Sequence, residues 1–197
     1  MSTLNAARVG TLTTLPSTVD AHFPPHVPFV RYGTHGDGTC FFHSVCAARN
    51  ISGYLTASRQ QQRDIGRQYR REFTSHVTPE VWSQLSSATT TAEQAIRNFR
   101  DTKLWADQDM IQFVARILRL NLLFLDADAS RLYCGVHGEP DEPMIIILWV
   151  GRAHFEPVGA YRASREGETG VQFVFHPKQD AKIVDHMLNS YKGQCAA

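Results

Sequence analysis

The sequence predicts an α+β domain in which helices come early and the strands of a mostly antiparallel sheet come late. Three observations carry this. From Cys40 to about Leu120, apolar residues recur at helical spacing in segments bounded by caps and turn residues. Beyond them, "NLLFLDAD" and "PMIIILWV" are short continuous apolar runs of the kind found in strands covered on both faces, and "HFEPVGAY" and "VQFVFHP" supply two further strands. Finally, 197 residues, 43% apolar and 20% charged, suffice for one domain with a sizeable core.

The first 30 or so residues are rich in Thr, Ser, Ala and Pro and end in "HFPPHVPF". They read as an N-terminal extension over residues 1–28, disordered or packed down, ahead of a single domain over 29–197. Gly-Asp-Gly-Thr then stands directly before Cys40, and Phe41, Phe42, Val45 and Cys46 mark one face of a helix, so the sulfur sits where a loop becomes a helix. In "TASRQQQRDIGRQYRREFTSHV", Arg59, Arg63, Arg67 and Arg70 or Arg71 fall on one helical stripe, which reads as a solvated face. "TPEVWSQLSS" begins a helix, with Thr78 as cap and Pro79 and Glu80 in the first turn. "TAEQAIRNFRDTKLWADQDMIQFVARILRL" reads as two helices broken near Asp101 to Trp105, the second placing Met110, Ile111, Val114, Ile117 and Leu118 in the core. "ADASRLYCGVHGEPDEP" is a hairpin arm and loop, and a last helix is expected from Lys178 to about Tyr191.

A net charge of +1 draws the chain to neither nucleic acid nor an anionic membrane. Its longest apolar run, Met144 to Val150, is far short of a membrane span, and no N-terminal apolar block reads as a signal peptide. Cys40, Cys46, Cys134 and Cys195 contain no Cys-x-x-Cys pair and form no disulfide framework, a usage that suits a reducing compartment and predicts a cytoplasmic protein. Cys40 and His43 stand three apart, yet the other ligands of a zinc site are missing nearby, so neither metal nor cofactor is expected.

A thiol at a helix N-terminus meets the positive end of the macrodipole and free backbone N–H groups, which favour the thiolate and can also hold a developing oxyanion. Cys40 is therefore a candidate nucleophile with an expected pKa below the value of about 8.5 of a free thiol; the alternative is a small buried apolar cysteine. Of nine histidines, His154 is set apart because it follows an apolar strand across a short turn and opens the next. His43 lies one turn down the Cys40 helix, on the same side yet beneath the nucleophile, while His35, His76, His137, His176 and His186 have looser settings and read as surface or cap residues. Glu156 lies two positions beyond His154 on the same strand face, where a carboxylate can accept a ring N–H and fix the tautomer.

"GDGTCFFHS" resembles the Asp-Gly-x-Cys-x-Phe signature of the ovarian tumour (OTU) family of cysteine proteases, and "HFEPV" is similar to that family's closing His motif. "LWADQDMIQFVARILRLNLLFL" resembles the intervening Trp-Gly/Ala helix and core strand, with Trp105 to Met110 in register. The three blocks occur in the family's order from about Tyr32 to Val158. The resemblance implies a papain-like fold and a deubiquitinase that hydrolyses isopeptide bonds after the C-terminal glycine of ubiquitin or a ubiquitin-like modifier, with Cys40 as nucleophile and His154 as general base. Asp37 matches the acid before the cysteine, which shapes the oxyanion hole through its backbone and in some members partners the histidine. Glu156 departs from the pattern, which has Asp or Asn there. The implied partner is ubiquitin or polyubiquitin, met by a monomer through the Arg-striped helix or the loop from Asp126 to Pro143. A compact enzyme of this kind suits a viral or bacterial effector acting in the host cytoplasm. Two other readings stand beside it: a cysteine amidase with a different acyl substrate, and a non-catalytic ubiquitin-binding module.

Overall fold

Two strands stand ahead of Cys40, where the sequence reading places only an extension and the start of the domain. The structure, a computed structural model, describes residues 4–85, 89–127, 131–136, 139, 141–151, 153–163 and 169–192. The chain runs β1 (Leu12–Thr14), α1 (Ser17–Asp20), β2 (Phe29–Tyr32), α2 (Cys40–Arg49), α3 (Arg59–Glu72), α4 (Pro79–Trp82), α5 (Ala92–Arg100), α6 (Gln108–Leu118), β3 (Asn121–Asp126), β4 (Arg131–Val136), β5 (Met144–Val150), β6 (His154–Ala163), β7 (Thr169–Gln172), β8 (Val174–Phe175) and α7 (Ala181–Lys192). β1 has only three residues and β2 carries Arg31 in mid-strand, so neither offers a strong alternating pattern.

Among the described residues the strands form one sheet in the order β1-β2-β6-β5-β3-β4, with β7 beside β6 and β8 beside β5. It is mostly antiparallel; β3 and β5, the two continuous apolar runs, are the parallel pair. Their composition follows from their place. Alternate residues point to opposite faces, so Leu122, Phe124, Ile145 and Ile147 join the core beneath the helices, while Leu123, Leu125, Ile146 and Leu148 join a second core with Val19, Phe23, Ile183, Val184 and Met187. Both faces are dry. Residues of α1 and α7 cover the second face, and Val19 and Phe23 pack the lead-in segment down upon it.

The residues Cys40 to Ala48 are all buried, and α2 packs against β6 on one side and α3 on the other. This corrects the expectation of a single apolar face: a helix between a sheet and a second helix is apolar all round. It ends at Asn50, whose φ of 47° is the left-handed conformation that Asn tolerates at a helix end. The break in the long helical segment falls at 101–107, between α5 and α6.

Candidate active site

The loop feeding Cys40 is tied within itself. Asp37 Oδ1 accepts from the Thr39 N–H at 2.9 Å, and the Asp37 carbonyl accepts from the Cys40 N–H at 3.0 Å. Thr39 is the N-cap of α2 but makes no side-chain cap; its hydroxyl donates to the Thr102 carbonyl. Gly38 is pressed so closely on the neighbouring turn that a Cβ there would lie 2.6 Å from the Lys103 backbone. Arg70 locks the two together, donating to the carbonyls of Gly38 (2.7 Å), Leu104 (2.6 Å), Asn98 (2.7 Å) and Phe99 (3.1 Å). Arg70 is fully buried, which corrects the reading of its stripe as solvated throughout; Arg59, Arg63 and Arg71 are exposed.

The Cys40 thiol is only 2% exposed. Burial pushes its pKa up to about 11, against the backbone N–H groups of Phe155, Phe41 and Cys40 itself, which favour the thiolate. The expectation of a depressed value is thereby overturned. The helix terminus acts as the sequence implies, but loss of water outweighs it.

His154 opens β6 and is largely buried. Its Nε2 lies 3.4 Å from Thr34 Oγ1 and 3.6 Å from Glu156 Oε1. The Thr34 hydroxyl spends its single proton on the Phe155 carbonyl at 2.7 Å, so towards His154 it can only accept, as can an ionised carboxylate. Nε2 is therefore the nitrogen that carries the proton. Nδ1 has no hydrogen-bond partner among the described residues and faces Gly36, in the loop that leads to Cys40. Burial, aided by His43 and Arg31, lowers the pKa of His154 to about 4 and keeps the ring neutral. Cys40 and His154 are brought to one place: the Phe155 N–H, next to His154, reaches the Cys40 sulfur, and the Ser44 hydroxyl sits against the carbonyls of both Cys40 and Phe155.

Glu156 is fully buried. Its Oε2 accepts from Arg31 Nη1 at 3.0 Å and its Oε1 from the Ala7 N–H at 2.6 Å. Burial raises its pKa, and Arg31 opposes the rise. Asp37 turns elsewhere: Oδ1 lies 3.4 Å from His43 Nε2 and Oδ2 lies 3.6 Å from Arg67 Nη2. Burial opposes its ionisation, but His43, the Thr39 N–H and Arg67 together bring its pKa to about 2. The histidine in contact with Asp37 is thus His43, and the one near Glu156 is His154. His43 is fully buried, with Nδ1 3.0 Å from the Tyr54 hydroxyl, and His35 is buried with Nδ1 accepting from Arg63 Nε at 3.3 Å. His35 is not the surface or cap residue its sequence setting suggests, because α3 closes over it as it does over His43.

Sequence reasoning passed over Thr34, Arg31 and the Ala7 amide. Arg31 left a trace, a cation inside the apolar run "FVRY" that demands a buried partner; the other two left none. Cys40 and Cys46 are free thiols, while the side chains of Cys134 and Cys195 lie outside the described residues, as does much of the loop from Asp126 to Pro143. Among the described residues no three His, Cys, Asp or Glu gather as metal ligands, and no helix is long and apolar enough to cross a membrane.

The arrangement can move a thiol proton to an imidazole nitrogen already free to take it, a general-base step that starts from two neutral groups. Alkylation of Cys40 by iodoacetamide in the unliganded protein is accordingly expected to keep accelerating above the value of about 8.5 of a free thiol, towards a midpoint near the pKa of about 11. Intact-mass rates across pH check this; a plateau already reached near neutrality would contradict it.

No family model matches the chain, and no curated protein sequence does. Solved structures do. An OTU domain solved in complex with ubiquitin shares 15% identity with a TM-score of 0.54, covering 93% of each chain. The Hazara virus OTU domain bound to ubiquitin shares 12% identity with a TM-score of 0.52, over 81% of this chain and 94% of that one. The OTU domain of OTUD1 shares 14% identity with a TM-score of 0.50, over 66% and 85%. A mostly antiparallel sheet packed by helices is common ground with these structures at the level of architecture, and the chain has the fold of the OTU domains.

Proposed function

We propose that the chain is a thiol-dependent deubiquitinase in which Cys40 is the nucleophile, His154 the general base and Glu156 the acid that orients it. The observation that carries this reading is the state of the His154 ring: Nε2 faces two acceptors, Thr34 and Glu156, and Nδ1 is left unpartnered on the side of the Cys40 loop. On attack the Sγ proton passes to Nδ1, sulfur bonds to the scissile carbonyl carbon, and the amine leaves with the proton from His154; water then releases the acid and restores the thiol. Asp37 serves the loop, binding Thr39 and His43.

Ubiquitin as the substrate rests on the motif resemblance and on the fold shared with OTU domains that were solved bound to it. Leu104 and Trp105, 45% and 48% exposed, stand beside the turn that packs on Gly38 and supply an apolar contact next to the nucleophile. Free thiols and a neutral balance suit the cytoplasm, that of the host if the source is a virus or a bacterial effector. The competing reading, a binding module without turnover, draws on the burial and high pKa of Cys40.

A ubiquitin probe with a C-terminal thiol-reactive warhead decides between them. It is expected to label the protein once, at Cys40, and a panel of linkage-defined diubiquitins is expected to be cleaved. Labelling at Cys46, Cys134 or Cys195 that survives Cys40→Ala would sink the assignment, and binding of ubiquitin with no labelling would establish the inactive module.

A further inference from the structure

The segment ahead of the domain reaches the candidate site. Gly10 N–H donates to the Gly33 carbonyl at 2.8 Å and Gly33 N–H to the Thr11 carbonyl at 3.0 Å, so residues 10–11 are clipped to the end of β2. At Gly33 the contact is tight: a Cβ there would stand 2.2 Å from the Arg8 carbonyl oxygen. From this anchor the chain crosses Arg31 and Glu156. Arg31 Nη1 divides its donation between the Asn5 carbonyl and Glu156 Oε2, both at 3.0 Å. The Ala7 N–H meets Glu156 Oε1 at 2.6 Å, and that same oxygen lies 3.6 Å from His154 Nε2.

A glutamate has one more rotatable bond than an aspartate, and a buried carboxylate turns towards whatever donors surround it. Arg31 binds only one oxygen. Without a second fixed donor the other is free to swing away from the imidazole, and the Ala7 N–H is the group that holds it beneath Nε2. We propose that residues Asn5–Ala7 act as a positioning strap, setting the orientation of His154 through Glu156 and thereby the rate at which Cys40 is deprotonated. The proposal rests on Glu156 being the orienting acid.

Ala7→Pro tests it, because proline removes the N–H, and Ala7→Gly, which keeps the N–H, is its control. Both are compared with wild type on a fluorogenic ubiquitin substrate, with melting temperatures alongside. Ala7→Pro is expected to lower kcat roughly tenfold, the loss of about one charge-assisted hydrogen bond, with KM unchanged, while Ala7→Gly retains kcat. The penalty is expected to vanish in a Glu156→Leu background, since the strap then has no acceptor to hold. Nitrogen-15 spectra of the His154 ring report the same event without turnover: the single Nε2–H form of wild type should give way to a mixture of tautomers in Ala7→Pro. Should Ala7→Pro fail to fold, Gly33→Ala, whose methyl displaces Arg8, is measured in its place. The results separate the two ideas. Full activity in Glu156→Leu overturns the acid; impaired Glu156→Leu beside normal Ala7→Pro, in kcat and in the ring spectrum, overturns the strap alone. If wild type proves inactive on ubiquitin, the ring spectrum decides the strap by itself.

Discussion

His154→Gln is expected to abolish turnover while leaving the protein folded and able to bind ubiquitin. The glutamine amide can still donate towards Thr34 and Glu156, the partners of Nε2, so the acid keeps a hydrogen bond. What it lacks is Nδ1, the only ring atom free to take the thiol proton. Because the thiol is held neutral, its pKa pushed up to about 11, no standing population of thiolate bypasses the base. Removing a triad base costs on the order of 10⁴-fold or more in kcat. The exposed pair Leu104 and Trp105 is untouched, so affinity for ubiquitin, read by titration with the Cys40→Ala protein as reference, should change little. Turnover within tenfold of wild type would mean that another nitrogen takes the proton, and His43 and His35 are the other buried imidazoles nearby.

Arg70→Met is expected to give the largest loss of stability of any single change at a charged residue outside the proposed triad. The side chain is fully buried, and its guanidinium serves four backbone carbonyls, two of them at the C-terminal end of α5, while lying 5.3 Å from the centre of the Phe42 ring. Burial lowers its pKa to about 10, which still leaves it charged, and Asp101 and Asp37 support the charge from a distance. Methionine fills much of the volume but strands the four acceptors, each worth about 1–3 kcal/mol when buried without a partner. Some of them will find water, so a net loss of about 3–5 kcal/mol is expected, a large share of the roughly 5–15 kcal/mol that holds a domain together. Arg70→Lys should fall between, because a compact ammonium cannot span four acceptors set in a fork. Denaturant unfolding measures both. A loss below about 1 kcal/mol for Arg70→Met would mean that the carbonyls are not committed to this cation. Activity should fall with stability, since the Gly38 carbonyl, two residues from Cys40, is one of the four.

What the sequence by itself determined is local. Glycine and aspartate ahead of an apolar helical period place Cys40 at a helix start, because turn chemistry and period act within a few residues. The runs "NLLFL" and "MIIIL" are apolar at every position because both faces of β3 and β5 are covered. The spacing of His154 and Glu156 puts them on one strand face, and their atoms stand within 3.6 Å. What only the tertiary structure decided involves partners far apart in the chain. Ala7 meets Glu156 across 149 positions, Asp37 finds His43 once α2 is wound, and α3 carries Arg70 inward while Arg71 next to it stays exposed. The acidity of Cys40 divides along the same line: the helix terminus that lowers it is visible in the sequence, while the burial that raises it further is set by what packs over the loop. The groups that make these distant contacts are largely backbone N–H and C=O. Nearly every residue carries the same pair, and so a sequence cannot mark which of them will be used.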